Sequence, residues 1–72
     1  MMIAMITEIG IAAGDIWHHL DQKENVTLDE LVRAIGKPRD LMLMSLGWLA
    51  REGHVNVKQE GSTYHVSFTH KT

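Results

Sequence analysis

Cysteine is absent from the 72-residue chain, so neither a disulfide framework nor a thiolate metal site supplements its core. A core drawn from so few residues lies near the lower limit for folding unaided, and packing or oligomerisation must supply the remaining stability. An excess of positive charge is missing too: seven Lys and Arg face nine Asp and Glu, for a net charge of -2. The basic balance that marks many nucleic-acid binders is therefore not there. No apolar run approaches the ~20 residues that span a bilayer. The apolar start, MMIAMITEIGIAAG, has no basic residue ahead of it and holds Glu8 in its middle, which does not read as a secretory signal. The expectation is one cytoplasmic domain over residues 1–72.

Residues with reactive chemistry are equally sparse. Ser45, Ser62 and Ser67 sit in no nucleophile motif, and Gly10 and Gly14 fall inside an apolar helical pattern instead of a phosphate-binding loop. Five histidines raise the question of a metal. His18 and His19 are neighbours and point to different sides of a helix, while Asp15 and His19 have the i, i+4 spacing that would supply two ligands. His54 and His65 are placed to approach each other across a hairpin, and His70 lies in the tail. No spacing matches a recognised site, so no catalytic residue, metal or cofactor is expected.

What the chain does have is periodicity. From about Ile3 to Gln22, Met5, Ile6, Ile9, Ala13, Ile16, Trp17 and Leu20 recur at helical spacing. Gly10 and Gly14 cost that helix about 1 kcal/mol each against alanine. Being four apart they share a side, which suits close packing against the domain's own helices or a helix of a second subunit. Val26 and Thr27 predict a short strand. Thr27-Leu28-Asp29-Glu30 is a capping box, with Val26 and Leu31 placed as a hydrophobic staple, and the helix it starts ends at Gly36. Pro38 suits the first turn of a third helix running to about Glu52. At Gly53 the period drops from 3.6 to 2, and Val55–Lys58 and Thr63–Phe68 read as strands joined by Gln59-Glu60-Gly61-Ser62.

The order is helix, short strand, helix, helix, strand, strand. The string Gly47-Trp48-Leu49-Ala50-Arg51-Glu52-Gly53-His54-Val55, with Thr27-Leu28-x-Glu30-Leu31 upstream, resembles the small stand-alone winged helix-turn-helix domain proteins of bacteria and archaea, a family of uncharacterised function. The likeness covers nearly the whole chain. It implies an α+β winged helix-turn-helix fold, with three helices and a small two- to three-stranded antiparallel wing sheet. DNA binding and transcription regulation come with it as an inherited expectation. The expected core is Ile6, Ile9, Ala13, Ile16, Leu20, Leu31, Ile35, Leu43, Leu46, Leu49, Val55, Val66 and Phe68.

The third helix reads ambiguously. A groove-reading helix offers polar and basic side chains to base edges and phosphates. Here Lys37, Arg39, Ser45, Arg51 and Lys58 are the candidates for double-stranded DNA, and residues 37–61 hold one net positive charge. A symmetric homodimer would double the number of cations. Leu41, Met44 and Trp48 form a second apolar stripe on the same side. It would fold back on the domain, take a partner or second subunit, or press against bases. The two functional expectations are thus a DNA-binding regulator and a protein-interaction module, neither an enzyme.

Overall fold

The structure, a computed structural model, describes residues 2–69, so His70 and Lys71 lie outside the described residues. The elements follow the expected order: α1 (Ile6–Gln22), β1 (Asn25–Thr27), α2 (Leu28–Ile35), α3 (Arg39–Arg51), β2 (Val55–Glu60) and β3 (Thr63–Phe68). β3 is the central strand of an antiparallel sheet in the order β1-β3-β2. Its Val66 stands opposite both Val26 of β1 and Val57 of β2. Three helices and this sheet make a winged helix, with β2 and β3 as the wing.

Local chemistry sets most of the boundaries. The Thr27 hydroxyl accepts from the Glu30 backbone N–H at 3.1 Å, and the Thr27 N–H donates to Glu30 Oε1 at 3.1 Å, which closes the capping box. Val26 and Leu31, the staple pair, are both buried. Gly36 ends α2 in the left-handed region, at φ +77°. The end of α3 is a Schellman motif: Gly53, at φ +81°, donates to the Ala50 carbonyl and His54 to that of Leu49. Pro38 stands one position earlier than expected, at the N-cap of α3. β3 has the expected bounds, while β2 runs two residues longer than expected, leaving a two-residue turn with Gly61 at its first position and at positive φ.

The core lies where α1, α2 and α3 meet the inner face of the sheet. Ile16, Leu20, Leu31, Leu46, Leu49, Val55 and Val66 are buried as expected, joined by Ala12, Leu28 and Met42. Ala13 is buried too, and Ile35 and Phe68 pack partly against this core. Three expected core residues, Ile6, Ile9 and Leu43, are not in it, Ile9 being half-buried. Ile6 is 81% exposed because it opens α1, more than a turn ahead of the buried stretch Ala12, Ala13, Ile16 and Leu20. Leu43 is 38% exposed, since the buried face of α3 is Met42, Ser45, Leu46 and Leu49, and Leu43 lies about 100° beyond Met42. Trp17, expected on the core stripe, is also partly exposed. Its ring meets His54 edge-on at 4.9 Å and Phe68 at 5.1 Å, tying α1 to the root of the wing.

The Thr27 backbone N–H holds the Glu30 carboxyl below its ordinary value of 4.5, with smaller help from the Thr27 hydroxyl and the Lys23 and Arg33 charges and a smaller opposing effect of desolvation. This contribution to stability is complete above the ordinary value and is lost as pH falls through the lowered one. Urea midpoints measured from neutral pH down to pH 3 should therefore fall less steeply for Glu30→Gln than for the wild type. Thr27→Ala should cost about 1 kcal/mol at neutral pH.

Candidate nucleic-acid interface

Packing fixes which side of α3 faces out. With Met42, Ser45, Leu46 and Leu49 inward, the outward face holds Asp40, Leu43, Met44, Gly47, Trp48 and Arg51. Ser45, expected among the DNA contacts, is fully buried and cannot reach a base or phosphate. Its hydroxyl lies 2.8 Å from the Leu41 carbonyl oxygen and 3.2 Å from that of Ile9, where α3 crosses α1. A serine at i, i+3, i+4, i+7 spacing with Met42, Leu46 and Leu49 was the available signal, masked by its polarity.

The four candidate cations are not gathered into one patch. Lys37 and Arg39 precede and open α3, and each meets a carboxylate: Lys37 Nζ lies 3.3 Å from Asp15 and Arg39 Nη1 lies 2.6 Å from Asp29. Both pairs are solvated, so they hold the side chains weakly and can exchange for a phosphate. Arg51 sits at the other end of the helix, twelve residues or ~18 Å from Arg39. Lys58 projects from the outer side of the wing, where its register partner is His65. His65 Nε2 in turn lies 3.5 Å from Glu60 Oε1.

The expected Leu41–Met44–Trp48 stripe is divided. Leu41 packs partly against the core, while Met44 and Trp48, the latter 49% exposed, stay outward with Leu43. Trp48 therefore does not fold back fully onto the domain. Gly10 and Gly14 lie on an open side of α1, where a Cβ at either position would meet nothing within 4 Å. Packing against the domain's own helices thus does not explain them. His54 and His65 do not converge: His54 meets Trp17 edge-on before β2 begins, and His65 lies out along the wing. Asp15, His18 and His19 border an open cleft between α1 and α2, but among the described residues no three His, Asp or Glu side chains come together as metal ligands. Nor is any described helix long and apolar enough to cross a membrane.

Comparison with known proteins agrees with the winged-helix fold. Residues 2–68 match the model of a family described as winged helix-turn-helix domain (DUF2582). The solution NMR structure of protein BT2368 from Bacteroides thetaiotaomicron is similar at a TM-score of 0.72 and 27% identity, over 83% of this chain and 73% of that one. HlyU from Vibrio cholerae is similar at a TM-score of 0.62 and 24% identity, over 89% of this chain and 65% of that one, a likeness of fold. No curated protein matches by sequence.

Ser45 as a packing residue has a direct test. Ser45→Ala should cost about 1 kcal/mol through the lost hydrogen bond. Ser45→Leu should cost about 1–3 kcal/mol by forcing α3 off α1. Urea unfolding reads both, and unchanged stability in both variants would return Ser45 to the surface.

Proposed function

The chain belongs to the winged helix-turn-helix domain family (DUF2582), and from that membership we propose that it is a DNA-binding regulator of transcription, acting as a homodimer and without enzymatic activity. The observation that carries this reading is the placement of cations at both ends of an outward-facing α3. Arg39 and Arg51 are ~18 Å apart along the helix axis, a span that brackets a major groove ~12 Å wide. Lys37 and Arg39 contact phosphate at one wall once released from Asp15 and Asp29, and Arg51 contacts the other. Lys58 adds a contact from the wing. Between these anchors Met44, Gly47 and Trp48 offer apolar surface to thymine methyl groups instead of hydrogen bonds to base edges. One domain supplies few cations, so affinity depends on two copies and falls steeply with salt.

One observation favours a second reading. Leu43, Met44 and Trp48 form an exposed apolar patch on the face that would enter the groove, and the chain is acidic overall. On that reading α3 docks a protein partner and no nucleic acid is bound.

Titrating isotope-labelled protein with a short generic duplex separates the two. The DNA reading expects salt-sensitive amide shifts clustered in residues 37–51 and 58–62. Arg51→Glu or Lys58→Glu should then weaken binding about tenfold or more, and removal of either cation should lower the salt slope by about 1. Absence of shifts at low salt, where the electrostatic contribution is greatest, rejects DNA and leaves the apolar face as the working surface.

A further inference from the structure

We propose that one side of α1 is the interface with a second copy of this chain, packed antiparallel about a two-fold axis at Gly10. The proposal deepens the homodimer half of the reading above and is independent of its DNA half. Ile6, Gly10, Gly14 and Trp17 lie along one side of α1, and Ile3 precedes them in the segment leading into the helix. Steps of three, four, four and three residues join these five positions, so the spacing reads the same in both directions. Antiparallel pairing centred on Gly10 therefore sets Ile6 against Gly14 of the partner subunit, while Ile3, ahead of the helix, extends the contact toward Trp17 of the partner subunit. Each Ile6 thus meets the gap over Gly14 of the partner subunit and the two Gly10 backbones meet at the axis, the same contact made twice, as an isologous interface requires.

Three observations point to a second copy. The glycines lower helix stability, yet among the described residues nothing outside their own helix backbone and chain neighbours lies within 4 Å of a Cβ at Gly10 or Gly14. Ile6 is 81% and Ile3 70% exposed, Trp17 stays 42% exposed after its contacts with His54 and Phe68, and Met2 and Ile11 flank them in water. Taking roughly 100 Å² for a fully exposed large apolar side chain, these five leave on the order of 350 Å² of apolar surface uncovered. A standard homodimer interface takes about 800 Å² from each partner, of which roughly 500 Å² is apolar, so the α1 face supplies about two-thirds of it. The α3 face lacks this self-matching pattern, since its apolar residues are interrupted by Asp40 and Arg51.

Sedimentation of the full chain without DNA, across the micromolar range, tests the assignment. The wild type should be a dimer. Ile6→Glu and Gly14→Leu should each weaken association about tenfold or more, with helical circular dichroism unchanged because both positions are open to solvent. Trp48→Glu should leave the dimer intact. A monomeric wild type, a dimer that survives both α1 substitutions, or dissociation by Trp48→Glu alone overturns the proposal. A monomer would bind the duplex more weakly, but the position of the amide shifts in the titration is read separately from the sedimentation, so the two readings fail separately.

Discussion

The crossing of α1 and α3 is the contact on which the rest of the molecule depends. At that crossing a small side chain, Ser45, lets the two backbones come close, and its hydroxyl reaches the carbonyl of Ile9 on the other helix. A larger residue there would separate the helices, and an apolar one of similar size would lose the bond that fixes their rotation. The rotation matters as much as the distance. With Ser45 inward, Met44 and Trp48 face out and Leu41 turns partly toward the core. Turning α3 by a single residue would exchange these roles, so the burial of Met42, Leu46 and Leu49 together with the Ser45 hydroxyl sets what the second helix of the helix-turn-helix presents to a partner.

How legible each part was in the sequence follows from how local its cause is. The capping box at Thr27 and Glu30, the Schellman end at Gly53 and the hairpin turn at Gly61 rest on neighbours a few residues apart, and the structure forms all three. The phase of a helix about its own axis is set by distant partners instead. Ile6 and Leu43 fit an apolar stripe by type, yet Ile6 opens α1 ahead of the stretch that the core covers and Leu43 lies about a quarter turn off the face that its neighbours bury. Ser45 shows the converse, a polar residue buried because a close helix crossing needs small volume and one satisfied hydroxyl. The candidate DNA residues divide on the same line. The sequence identified which cations lie near α3, but not that Asp15 and Asp29 meet Lys37 and Arg39, because these pairs form between different elements.

The two helical surfaces left uncovered have different chemistry, and this separates their roles. The outward side of α3 mixes apolar residues with Asp40 and Arg51, as suits a surface that meets water part of the time. The open side of α1 has glycine backbone and branched apolar side chains, which fit another helix better than they fit solvent. A small core without disulfides gains most from covering the second of these surfaces.

The sheet also has a mechanical asymmetry. β1 is three residues long and reaches β3 only at His65, Val66 and Ser67, so beyond that register the wing is a two-stranded ribbon. Its root is clamped by Val26 and Val66 in the core, with Tyr64 packed partly against it, while Gln59 to Thr63 form the tip. The wing is thus a cantilever: its compliance resides in the tip, and its anchorage is shared with the helix-turn-helix. Changes in tip composition can alter reach and stiffness without disturbing the core, whereas a displacement forced on the root is passed through β1 to the start of α2.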